Sequence, residues 1–141
     1  RENALSNLPP GLINLENTCY FNATLQTLNC IPELTRHLLT AKENTAQGDG
    51  LIAQLRDVIR QLKTSKSAVM PLALLTRFRL LYPNFAEQTN GRYSQQDAEE
   101  AWTQLLYSLQ ALPRINEEIP GENAVQQLFQ GEFETTFVHI F

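Results

Sequence analysis

Four prolines, Pro32, Pro71, Pro83 and Pro113, divide most of this chain into segments whose apolar residues recur at helical spacing. Proline has no N–H to give and a fixed φ, so it opens or ends a helix and rarely sits inside one. Asn17 and Thr18 are both good N-cap residues, and Phe21, Leu25, Leu28 and Ile31 follow at helical spacing. Cys19 therefore falls in the first turn of a buried helix. Pro32 forces a boundary and begins a second short helix, Glu33 to Thr40. Leu51, Ile52, Leu55, Val58, Ile59 and Leu62 form the apolar face of a third. Pro71 opens a fourth, with Leu72, Leu75, Phe78, Leu81 and Tyr82 inward, and Pro83 stops it.

Ser94-Gln95-Gln96-Asp97 has the spacing of a capping box, with Asp in place of Glu or Gln. The apolar stripe behind it, Ala98, Ala101, Trp102, Leu105, Leu106 and Leu109, predicts a helix running from Ser94 towards Pro113. Val125, Leu128 and Phe129 predict a last short helix closed by Gly131. Residues 7–11, 43–50 and 84–93 carry the breakers and polar clusters of loops. From Glu132 to Phe141 the period changes, and β-branched and aromatic residues predict a strand. The organisation expected is a lead-in over 1–10, a helical lobe over 11–130 and a strand over 131–141. A lone apolar strand has no ladder partner, so the chain reads as stopping in the middle of a fold.

With 141 residues the chain has the length of one domain, but charged residues make up only 18% of it. Part of its surface is therefore expected to be covered by something else. A net charge of −4 supplies no basic field for nucleic acid or anionic lipid, and a basic partner suits it better. No apolar run has the length of a membrane span, and the first six residues do not form a signal peptide. The two cysteines, Cys19 and Cys30, are not a CxxC pair, and two histidines complete no zinc site at a familiar spacing. On one helix the two thiols would stand about 16 Å apart, too far for a disulfide. A reduced, intracellular setting is expected.

Most cysteines simply pack. Cys19 has three features that argue for chemistry. A helix N-terminus presents unpaired N–H groups that favour a thiolate. A loop bearing proline and glycine precedes it. Asn14 lies five residues upstream, where a turn could bring its amide towards an oxyanion. Spacing alone leaves packing and nucleophile both open.

The stretch Gly11-Leu12-Ile13-Asn14-Leu15-Glu16-Asn17-Thr18-Cys19-Tyr20-Phe21-Asn22-Ala23 resembles the Cys box of the ubiquitin-specific proteases. Tyr93-Ser94-Gln95-Gln96-Asp97-Ala98-Glu99-Glu100 is similar to that family's Q-Q-D-A-x-E segment. Tyr82-Pro83-Asn84-Phe85-Ala86 and Glu132-Phe133-Glu134-Thr135-Thr136 resemble its proteasome-associated branch. The resemblance runs from about Pro10 to Thr136.

It implies an α+β, papain-like cysteine protease fold, of which this chain would be the mainly helical thumb plus the first strand of the fingers. Cys19 would be the nucleophile and Asn14 the oxyanion-stabilising amide. Asp97 and Glu100 would bind the arginine-bearing C-terminal tail of ubiquitin, although acids in a first helical turn also serve the dipole alone. Glu99 reads as surface, and Gln95 and Gln96 as structural residues without a contact to assign. Neither His37 nor His139 matches the family's later histidine box, so the chain is expected to be inactive alone. The family has glycine where this chain has Glu16, which predicts an unusual backbone angle there or a carboxylate opposing thiolate formation. No cofactor is implied, since the family's zinc residues would lie beyond Phe141. The expected activity is thiol-dependent ubiquitin hydrolysis after the terminal glycine, in the cytoplasm or nucleus, with the proteasome as a partner of that branch. A non-catalytic ubiquitin-binding relative and a plain helical interaction domain with a buried Cys19 are the other readings.

Overall fold

A computed structural model describes residues 8–42 and 50–138. The first residues of the lead-in, residues 43–49 of the loop expected over 43–50 and the strand end from His139 onward lie outside the described residues. Within them the chain forms α1 (Cys19–Asn29), α2 (Pro32–Thr40), α3 (Leu51–Thr64), α4 (Leu72–Leu81), a 3-10 turn (Pro83–Ala86), a hairpin of β1 (Gln88–Thr89) and β2 (Arg92–Tyr93), α5 (Ala98–Leu109) and α6 (Ala124–Phe129).

The prolines act where the sequence places them. Pro32 is the first residue of α2, behind an extended Ile31, and Pro83 opens the 3-10 turn that follows α4. The carbonyl end of α2 is closed from outside: Arg56 of α3 donates Nε to Leu38 O at 2.6 Å and Nη2 to Ala41 O. A guanidinium there satisfies orphan acceptors and complements the dipole.

The helices pack by adjacency. α1 lies against α5 and α2, α3 against α4, α2 and α5, and α6 against α5. The segment before α1 joins them through one parallel bridge, with Ile13 N donating to Val69 O and Val69 N to Gly11 O, both at 2.9 Å. At the centre Phe21, Phe78 and Phe85 are fully buried. The Phe78 ring centroid is 5.0 Å from that of Phe21, 4.8 Å from Phe85 and 5.1 Å from Tyr82. Tyr82 supplies the polar partner for a buried serine in the α5 stripe, its Oη lying 2.8 Å from Ser108 Oγ. Edge-to-face contact of Trp102 with Phe129, at 5.8 Å, seats α6.

Three expectations are corrected. Leu72, expected inward, is 53% exposed, and Leu74 takes the buried place instead. The face of α4 follows Leu74, Leu75 and Phe78, and Leu72 lies on its flank. Ser94 does not cap α5. Its N–H donates to Glu87 O at 2.9 Å and its hydroxyl meets Thr89 Oγ1 at 2.9 Å, so it extends the hairpin. Asp97 is the cap, accepting from Glu100 N at 3.0 Å, and the helix starts four residues later than expected.

The third correction is the strand. Residues 131–138 are irregular, and no ladder partner runs beside them among the described residues. Phe133 and Phe137 are 102% and 93% exposed. β propensity reflects a pleated surface with neighbours, and without those neighbours Phe, Val and Thr do not impose a strand.

The loop expected over 84–93 contains the hairpin. Asn90 and Gly91 have φ of +53° and +76°. Two left-handed residues in succession make the turn whose twist matches a two-residue hairpin, and Asn-Gly is its strongest sequence signal. Gln88 pairs with Tyr93 and Thr89 with Arg92.

Phe78 joins α4 to α1 and to the 3-10 turn. Phe78→Ala is expected to cost about 3–5 kcal/mol in urea unfolding. A loss below about 1.5 kcal/mol would show that the ring cluster is not what holds these elements together.

Candidate active site

The site forms where the N-termini of α1 and α5 meet. Cys19 is the first residue of α1 and is exposed, so of the two readings left open by the sequence it does not pack. Thr18 stands at the N-cap without a side-chain cap bond. Its hydroxyl is used elsewhere: it accepts from Leu15 N at 2.9 Å and donates to Asn14 Oδ1 at 3.1 Å. The open end of α1 therefore keeps its dipole and unpaired N–H groups beside Cys19.

Asn14 is held by its oxygen. Oδ1 accepts from Thr18 N at 3.2 Å as well as from the Thr18 hydroxyl. That use of Oδ1 leaves the Nδ2 donor as the group Asn14 can offer elsewhere. Asn22, one turn into α1, donates Nδ2 to Ile13 O at 3.2 Å and fastens the same loop to the helix.

Between Asn14 and Cys19 the chain turns sharply. Glu16 and Asn17 have φ of +65° and +52°. Asn tolerates the left-handed region, whereas Glu at such an angle is strained by about 1–2 kcal/mol. The expectation of an unusual backbone angle at Glu16 therefore holds. Its carboxylate reaches the hairpin: Oε2 accepts from Tyr93 N at 3.4 Å and Oε1 lies 3.8 Å from Arg92 Nε. Asn17 Nδ2 donates to Tyr93 O at 2.9 Å. Both backbone groups of Tyr93 are thus bound to the turn that precedes Cys19.

Beneath the hairpin the Arg79 guanidinium lies 3.5 Å from the Tyr93 ring centroid, and Arg79 Nε donates to Phe85 O at 3.2 Å. A cation over an aromatic face is attracted by the ring quadrupole. Arg79 also stands beside Tyr20, whose phenol burial pushes above 10.0, with the guanidinium acting in the opposite direction. An apolar cleft of about 340 Å³ opens here, walled by Leu15, Leu72, Leu80, Ala86 and Tyr93.

On the α5 side, Asp97 and Glu100 stand in the first turn of the helix, both exposed. Asp97 spends Oδ1 on its cap, and Glu100 Oε1 accepts from Asn84 Nδ2 at 2.7 Å. Gln96 Nε2 donates to Asn84 O at 3.1 Å, so the 3-10 turn buttresses the acidic pair. Glu99, also exposed, lines a second cleft with Ala98 and Trp102.

Gln95 was expected to make no particular contact, but its Nε2 lies 2.8 Å from Cys19 Sγ, donating to the sulfur. The pair spans the two helix N-termini. The Q-Q-D-A segment was the signal that could have found it; the expected cap at Ser94 would have placed Gln95 inside α5 instead.

The histidines stand apart from this arrangement. His37 Nε2 donates to Pro113 O at 2.8 Å and ties α2 to the segment after α5. His139 lies outside the described residues.

Replacing Glu16 separates its two roles. Glu16→Gly relieves the left-handed strain, whereas Glu16→Ala keeps it, and both lose the weak ties to the hairpin. The Gly variant is expected to be about 1 kcal/mol more stable than the Ala variant in urea unfolding. An Ala variant as stable as the Gly variant would mean that the turn relaxes when the carboxylate is removed.

The ubiquitin carboxyl-terminal hydrolase family model matches residues 10–139. Ubiquitin carboxyl-terminal hydrolase 6 of Arabidopsis thaliana is 39% identical over 125 residues, covering 84% of this chain and 26% of that protein. Ubiquitin carboxyl-terminal hydrolase 6 of Schizosaccharomyces pombe is 44% identical over 104 residues, 72% of this chain and 21% of its own. The chain spans about a quarter of the length of the curated relatives it matches. With a family model covering the Cys19 loop, the hairpin and the acidic start of α5 alike, the chain belongs to the ubiquitin carboxyl-terminal hydrolase family.

Proposed function

We propose that this chain is the thumb of a papain-like, thiol-dependent deubiquitinase, and that the complete protein cleaves peptide and isopeptide bonds after the C-terminal glycine of ubiquitin. The observation that carries the reading is the exposed Cys19 at an uncapped helix N-terminus, with its sulfur accepting a hydrogen bond from Gln95. Helix N-termini favour the anionic form of a thiol and are a recurrent setting for reactive cysteines.

In this mechanism Cys19 is the nucleophile. Its thiolate adds to the carbonyl of the ubiquitin terminus, and the carbonyl electron pair moves onto oxygen. Asn14 Nδ2 and the unpaired N–H groups of α1 are the donors for that oxyanion. Collapse of the intermediate expels the amine, which needs a proton, and water then releases the ubiquitin carboxylate. A general base that takes the thiol proton returns it to the amine. His37 is engaged with the Pro113 carbonyl, so that base is assigned to a later histidine of the complete protein, neither His37 nor His139.

Asp97 and Glu100 are the carboxylates that receive the basic tail. One oxygen of each is already engaged by α5 or by Asn84, which sets the direction of the other. Charge-assisted pairs to arginine then give the tail its register. Work in the cytoplasm or nucleus, with the proteasome as a partner, completes the proposal.

The test is ubiquitin carrying a thiol-reactive group at its C-terminus, read as a covalent adduct by mass. A full-length protein containing this chain is expected to form the adduct, whereas its Cys19→Ser form and this chain alone are not. In the full-length protein Asp97→Asn with Glu100→Gln is expected to raise KM about tenfold with little change in kcat. Ubiquitin binding without any adduct would overturn the hydrolase reading in favour of a non-catalytic binder.

A further inference from the structure

We infer that Gln95 belongs to the reacting centre: its side-chain amide holds the Cys19 sulfur for attack. This rests on the reading of Cys19 as the nucleophile and adds a residue to it. The contact is 2.8 Å from Nε2 to Sγ, and an amide nitrogen bearing two hydrogens can only donate. A thiol sulfur is a weak acceptor. A sulfur bearing negative charge is a much stronger one, because hydrogen bonds to ionised groups are about twice as strong as neutral ones. The donation therefore gains most when Sγ is in its attacking form.

Gln95 is held from both sides, which separates this contact from a chance meeting of two exposed side chains. On its N-terminal side, Ser94 N donates to Glu87 O at 2.9 Å. Tyr93 is bound through both backbone groups to Asn17 and Glu16, residues of the turn that leads into Cys19. On its C-terminal side, Gln96 is fixed to Asn84 O and Asp97 caps α5. The chain around Cys19 and the segment before α5 are thus joined through Asn17–Tyr93, Glu16–Tyr93, Glu16–Arg92 and Gln95–Cys19, of which only the last touches the sulfur. The backbone bonds set the distance, and the amide sets the direction in which the sulfur lies.

Gln95→Met keeps the length of the side chain and removes the donor, whereas Gln95→Lys restores a donor of similar reach. Alkylation by iodoacetamide at neutral pH, resolved by peptide mass, reads both cysteines in the same molecule. Cys30, exposed at the other end of α1, is the internal reference. In the unaltered chain Cys19 is expected to react faster than Cys30. Gln95→Met is expected to slow Cys19 by about fivefold while leaving the Cys30 rate and the melting temperature unchanged. Gln95→Lys is expected to bring the Cys19 rate back to within about twofold of the original. A Met variant as fast as the original, or a Lys variant as slow as the Met variant, overturns the inference. A Cys19 no faster than Cys30 at the outset overturns it as well. Loss of the Gln95 effect with the ubiquitin adduct still formed removes only this inference, whereas absence of the adduct removes the hydrolase reading itself.

Discussion

Phe78 lies within 5.1 Å, centroid to centroid, of Phe21, Phe85 and Tyr82, and that contact joins α1, α4 and the 3-10 turn beside the candidate site. Phe21 is two residues beyond Cys19 on α1, and Phe85 sits in the 3-10 turn beside Asn84. Burying the rings together pins the start of α1 to the turn that presents Asn84 to Glu100. Close packing leaves little latitude, since interiors transmit displacement instead of absorbing it. Residues 76 apart in the chain, Cys19 and Gln95, can meet at 2.8 Å only because elements this far apart in sequence share one core.

Around that core the polar groups divide their labour. Asn14, Thr18 and Asn22 satisfy the loop from inside, and Glu16 and Asn17 reach out to the hairpin. Using the Thr18 hydroxyl for the loop instead of the helix leaves α1 open at Cys19. A capped helix would be more stable by about 1 kcal/mol, so the uncapped end is a local cost borne beside Cys19. The left-handed Glu16 is a second such cost. Both fall within three residues of Cys19.

Much of this was legible in the sequence, and the exceptions share a cause. The helices from Cys19, Pro32, Leu51 and Pro71 were readable because proline and the 3.6-residue period act locally. Cys19, Asn14, Asp97 and Glu100 were singled out through the two motifs as candidates, and they lie at or just before the N-termini of α1 and α5. The cap of α5 was misread because Ser94 and Asp97 both suit a cap, and the choice between them depended on the hairpin. The strand expected after Gly131 does not form over residues 131–138 for a related reason: its residues favour a sheet, but a ladder partner is not a local property. Asn90-Gly91 was a local signal passed over, since the short arms on either side carry no apolar alternation.

Sequence alone was enough for the helical periods, the breaks at proline, the family and the residue types of the candidate site. These depend on covalent geometry and on side-chain chemistry within a few residues. Only the tertiary structure decided that Gln95 touches the sulfur, that Glu16 reaches Tyr93 and Arg92, and that Asp97 rather than Ser94 caps α5. Each of those outcomes is a competition among several partners of comparable strength. A margin of about 1 kcal/mol separates them, and it is set by which elements the buried rings bring side by side.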